Sequence, residues 1–273
     1  GHSTTGTISS ATYNTALGLG AMDAITQGDY NTAIGYEAAT ALTTGSFNAL
    51  IGSRAGLSLT TGDFNTAVGY VALRSEDTGD KNVAVGYAAL YALNYDGDAY
   101  NVAVGFEAGK DVTTGTQNTL IGALAGSSLT TGEKNTAIGK SALLTEDTGD
   151  RNVAVGWGAL QTLNYDGNGY NVAVGYDTGV NITTGTSNTL IGGLAGDALT
   201  SGANNVAVGY QALSTEDTQG LNVAVGSYAL LNLNAGSNAY NVAVGYNSGQ
   251  AMTTGVQNTI VGGMAGDALT TGQ

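Results

Sequence analysis

The chain has 273 residues, with seven Lys or Arg against 21 Asp or Glu and a net charge of −14. That balance excludes nucleic acid as a partner, because phosphate contacts need basic side chains, and it disfavours an anionic membrane surface for the same reason. The absence of Cys removes disulfides and thiolate metal sites, and no apolar run is long enough for direct membrane insertion as a helix.

Residues 1–13 read as a tag remnant, Gly1-His2-Ser3, and an entry segment. From Asn14 a five-residue core returns without a gap. It begins at Asn14, Asn31, Asn48, Asn65, Asn82, Asn101, Asn118, Asn135, Asn152, Asn171, Asn188, Asn205, Asn222, Asn241 and Asn258. The steps are 17 residues, with 19 at Asn82–Asn101, Asn152–Asn171 and Asn222–Asn241. So strict a period predicts a solenoid. The expected fold is all-β, a parallel β-roll or β-solenoid of fifteen coils, continuous over residues 14–273. The chain stops in mid-repeat, and the parent protein is expected to continue.

Within one coil, Asn82-Val83-Ala84-Val85-Gly86 serves as the structural core. Strand side chains alternate, so Val83 and Val85 point one way and Ala84 the other. Both faces are apolar, which implies burial on both. One face packs inside the coil; the other is expected to meet further copies of the chain, most naturally in a homotrimer. The Asn is expected in a turn, in a left-handed backbone conformation, with Asn side chains bonding from coil to coil. Gly86 is expected to allow a backbone shape or close approach that a side chain forbids. A second strand is expected in segments such as 87–90, followed by a turn such as Thr-Thr-Gly. The absence of Pro fits strands that all donate to neighbours.

Four coils make a 70-residue super-repeat: residues 30–38 return at 100–108, 170–178 and 240–248. Its longest loops recur at 93–100 and 163–170 and, altered, at 233–240. Tyr95, Asp96, Asp98, Tyr165, Asp166 and Asn168 in these loops are the candidate ligand-binding residues. Tyr faces suit sugar rings, and acids accept bonds from hydroxyls. The regularly placed Tyr residues are expected to stack as packing. Glu76, Asp77 and Asp80, with Glu146, Asp147 and Asp150, are the candidate calcium ligands. They lack the EF-hand spacing and the calcium β-roll nonapeptide, so no metal or other cofactor is expected, and a solvated turn is the alternative. Catalysis is not expected either. Nothing visible holds two acids at glycosidase spacing, and the single His stands in the tag. Thr-Thr pairs suggest ice binding, but adjacent Thr residues point to opposite sides.

These coils resemble the YadA-like head repeats of trimeric autotransporter adhesins, and the arrays of bacteriophage tail fibres. The likeness lies in the Asn-Val-Ala-Val-Gly units and covers nearly the whole chain. The resemblance implies a trimer of left-handed β-rolls. It implies an extracellular attachment segment, on a cell surface or a virion, that meets a cell-surface glycan or protein. The alternatives are a tailspike-type polysaccharide depolymerase and an ice- or calcium-binding solenoid.

Overall fold

The computed structural model describes residues 10–272; Gly1-His2-Ser3 and the start of the entry segment lie outside the described residues. The chain is an all-β solenoid with about 17 residues per coil and no helix among the described residues. It divides into two compact units, residues 1–135 and 136–273.

The first unit carries β1 (Thr15–Leu17), β2 (Thr32–Ile34), β3 (Ala49–Ile51), β4 (Thr66–Val68), β5 (Val83–Val85), β6 (Val102–Val104) and β7 (Thr119–Ile121). Each pairs in parallel with the next, and equivalent residues face each other, as Ala84 faces Ala103. The second unit carries β8 (Thr136–Ile138), β9 (Val153–Val155), β10 (Val172–Val174), β11 (Thr189–Ile191), β12 (Val206–Val208), β13 (Val223–Val225), β14 (Val242–Val244) and β15 (Thr259–Val261), paired in the same way.

The middle strand residue is the inward one. Ala33, Leu50, Ala67, Ala84, Ala103 and Leu120 are fully buried, whereas Val83 and Val85 are half-buried and Ile51 is exposed. Also buried are a column of Ala (Ala55, Ala72, Ala89) and a corner column of Ile25, Leu42, Leu59, Leu93 and Leu129.

The Asn ladder explains why no other residue fits. Asn48 Oδ1 accepts the backbone N–H of Asn65 at 2.8 Å, and its Nδ2 donates to the carbonyl of Gly62 at 2.8 Å. One side chain thus holds the next coil by an acceptor and a donor at once. Asp lacks the donor, and Ser is too short for both. The left-handed conformation falls one residue earlier than expected, on Tyr30 (φ 58°), Phe47 (φ 61°) and Lys81 (φ 61°), because the Asn is already entering the strand. Gly86 is required twice over: its φ is 137°, and a Cβ there would overlap the Gly105 carbonyl.

The expected second strand is absent. Ala88 (φ 52°) and Leu90 (φ 47°) are left-handed on either side of Ala89. N–H groups two residues apart, which a strand would send to the same neighbour, therefore point to opposite ones: Ala88 donates to Tyr70 in the preceding coil and Leu90 to Ala108 in the following one. Coil-to-coil bonding survives without a one-directional β ladder.

Candidate functional site

The acidic corners are not the solvated turns expected. Glu76, Glu146 and Glu216 are fully buried, in the corner column that other coils fill with Leu, Ile, Val or Met. The reason is the two-residue insertion in the following coil. In a regular coil, the N–H groups of Thr43, Thr44 and Gly45 all donate to the Thr60 carbonyl one coil on. At the equivalent place Asp77 and Gly79 donate instead to Glu76 Oε1, at 3.0 and 2.7 Å. The N–H of Tyr95, in the insertion, donates to Oε2 at 3.2 Å. Glu146 repeats the pattern with Asp147, Gly149 and Tyr165. The carboxylate is a patch for N–H groups that the insertion has displaced from their carbonyl.

Burial, the largest effect, raises the pKa of Glu76 and Glu146 against the lowering by these N–H groups, and pushes Glu216 up to about 7. Asp80 also acts structurally, its Oδ1 accepting the Asp63 N–H at 2.6 Å. Asp147 Oδ1 caps the Thr148 N–H, and Asp150 pairs with Arg151 at 3.6 Å. Among the described residues no group of three or more His, Cys, Asp or Glu comes together around a metal-sized space.

The loop candidates lie on the surface. Tyr95 and Tyr165 are half-buried; Asp96, Asp98, Asp166 and Asn168 are exposed. Asp96 and Asp166 each accept a bond from a Thr hydroxyl, Thr78 at 2.6 Å and Thr148 at 2.7 Å. Asp98 Oδ2 accepts from Lys81 Nζ at 2.6 Å and from the Tyr100 hydroxyl at 2.9 Å, and these two partners, Lys81 first, lower its pKa. The loops pair back onto the coil before them, Asp98 with Asp80 and Asn168 with Asp150.

A larger feature is the outward face of the strands. The first and third strand residues are Val, Ile, Thr, Leu or Ala throughout. Exposed aromatics border them, before the Asn and after the Gly. Tyr13, Tyr30, Phe47 and Phe64 stack in a row with centroids 4.7 to 5.1 Å apart. Tyr70, Tyr87 and Phe106 form a second row, at 5.7 and 5.0 Å. In the second unit Trp157 stacks on Tyr176 at 5.2 Å. These aromatics stack as expected, whereas Tyr100 and Tyr170 lie under Lys81 and Arg151 instead and Tyr210 meets Tyr228 edge-on. The stacked rings keep much of their surface in solvent; Tyr70 is 48% exposed. None of the chain's 21 acids stands in these four columns.

Beside the second aromatic row of the first unit lies a groove of about 400 Å³, lined by Arg54, Arg74, Lys110, Tyr70, Tyr87, Tyr91 and Glu107. Arg74 Nη1 donates to the Tyr91 hydroxyl at 2.8 Å, and its guanidinium lies 5.3 Å from that ring's centroid. Arg54 pairs with Glu37 at 2.8 Å, and Lys110 with Glu107 at 3.7 Å. Sequence reasoning missed this groove, because its residues come from four coils and no local run of charge marks them. The chain matches no protein-family model, no curated protein and no solved structure.

Proposed function

We propose that the chain is a structural and attachment segment of a trimeric extracellular fibre, built like YadA-like heads and phage tail-fibre arrays, whose rolls are left-handed. The carrying observation is the outward strand face. Its two strand columns hold only aliphatic residues or Thr in every coil, and no acid in a chain of net charge −14. A single chain leaves it in water. A contiguous apolar surface of this kind marks an interface, and another copy of the chain is the partner whose columns share its 17-residue spacing. Burying the strand residues in a symmetric trimer would leave the corner loops, the acidic sides and the Tyr70–Tyr87 side of the coils outward.

Attachment is to cell-surface glycan or protein. The half-buried Tyr95 and Tyr165, beside Asp96, Asp98, Asp166 and Asn168, provide shallow sites that recur along the chain and multiply weak contacts into avidity. Light scattering should give a mass near three times 27.1 kDa. A glycan array or cell-binding assay should show binding that falls when Tyr95 and Tyr165 are both changed to Ala. A monomer at micromolar concentration would defeat the trimer. No binding to any glycan or cell would defeat attachment.

A further inference from the structure

We propose that the groove of the first unit holds a single carboxylate-bearing sugar, with Arg74 on the carboxylate and the Tyr70–Tyr87 row against the ring. The proposal rests on the reading of the chain as an attachment segment and names the ligand class of one site on it.

Charge is the first observation. Three of the chain's seven basic residues, Arg54, Arg74 and Lys110, line this one groove. The internal repeat makes the concentration more telling. Seventy residues on, their counterparts are Leu124, Leu144 and Val180; a further seventy on they are Leu194, Ser214 and Gln250. The scaffold is therefore built without these cations in its other copies. Tyr91 departs in the same way, to Gln161 and Leu231. Four replacements that converge on one groove point to a ligand rather than to packing.

Geometry selects the ligand. Arg54 and Lys110 already have carboxylate partners, whereas Arg74 forms no salt bridge among the described residues. Tyr91 fixes it instead, by a hydroxyl bond and by its ring. One planar, prepositioned guanidinium suits one carboxylate held by two parallel bonds. Tyr70 and Tyr87 stack with an interplanar angle of 18°, and Tyr87 stacks in turn on Phe106, so the neighbouring wall presents ring edges and phenol hydroxyls. Such a wall gives rigid contact area at low entropy cost, with hydroxyls that bond those of a sugar. A volume near 400 Å³ lies within the usual range for small ligands, ~300–1,000 Å³. A nucleic acid or heavily sulfated polymer would bring many negative charges to a chain of −14 and be repelled. An acidic sugar at the end of a glycan brings one.

The test is calorimetry or ligand-observed NMR on the whole protein with three probes: sialyllactose, lactose and lactose sulfate. Wild type should bind sialyllactose and prefer it clearly to the other two. Arg74→Leu installs the residue that the next super-repeat carries, so the coil should fold. It should weaken sialyllactose binding by about tenfold to a hundredfold. Tyr91→Phe, which removes only the hydroxyl holding Arg74, should weaken it less. Arg151→Gln, outside the groove, should change nothing. Equal binding of sialyllactose and lactose, equal binding by wild type and Arg74→Leu, or no sialyllactose binding would each overturn the proposal. Glycan-array binding that persists in Arg74→Leu would leave attachment standing and move it elsewhere.

Discussion

Glu216 shows how one residue departs from its column. The coils before and after it place Leu199 and Leu233 at the same corner, both fully buried. Burial pushes the Glu216 carboxyl up to about 7, above its ordinary 4.5. The folded chain therefore holds this proton more tightly than the unfolded chain. Stability from this group rises as pH falls from about 7 towards 4.5 and is lost as pH rises again, the reverse of an ion-paired carboxylate. The effect is up to about 3 kcal/mol at one pKa unit per ~1.4 kcal/mol. Urea unfolding between pH 8 and pH 5 should show the wild type gaining stability. Glu216→Gln should flatten the profile and be the more stable protein at pH 8. An unchanged slope in that variant would place the titration elsewhere, for example in the self-repulsion of the whole acidic chain.

In many coils two core positions compensate in size. Ala in mid-strand goes with a large residue at the second left-handed position, as Ala67 with Leu73 and Ala84 with Leu90, whereas the coil of Ala103 has Gly109 there and is filled by Leu90 and Leu120 of its neighbours. Where mid-strand is Leu50, that position is Gly56, and a Cβ on Gly56 would lie 2.9 Å from the Leu50 methyls. Ala67→Leu alone should overpack the coil and cost about 1–3 kcal/mol. Adding Leu73→Gly should recover most of that loss, since Gly also takes the φ of 50° freely. A double variant no better than the single one would show that the two positions do not share a space. The repeat made the strand, its Gly and the Asn ladder legible, because each recurs with a fixed chemistry. The left-handed positions were not legible: Ala88 and Leu90 carry no sign of positive φ and read as a strand. Nor was the burial of Glu76, because an acid beside Asp77, Thr78 and Gly79 resembles a solvated turn. Only alignment with Leu59 and Leu93, one coil away on either side, exposes it.

For the molecule as a whole, the decisive question is which strand residues face a partner. Val85 is half-buried in a single chain and points outward, whereas Ala84 is fully buried. Val85→Asp should leave the β circular dichroism intact, because the coil interior is untouched. In a trimer it would place three charges in an apolar seam, and removing one unpaired charge from water is costly. The mass should then fall from near three times 27.1 kDa towards 27.1 kDa. Loss of the β signal together with the mass would show that a lone chain does not fold without its partners. The groove belongs to the same scale. Arg54, Arg74 and Lys110 stand 20 and 36 residues apart in sequence, and only coil stacking brings them to one wall.

The carboxylate patch has a consequence for inheritance. Glu76 lies in one coil, and the insertion that displaces its N–H partners lies in the next. Copying either coil alone would leave a buried acid with no purpose, or an insertion with stranded N–H groups. A tandem duplication that keeps the chain foldable must carry both, and the 70-residue block does. The two halves should also drift together. In the third block they have: Gln219 stands where the earlier blocks have Gly79 and Gly149, and Ala235 where they have Tyr95 and Tyr165. A block of four coils meets that condition because it carries both members of the pair.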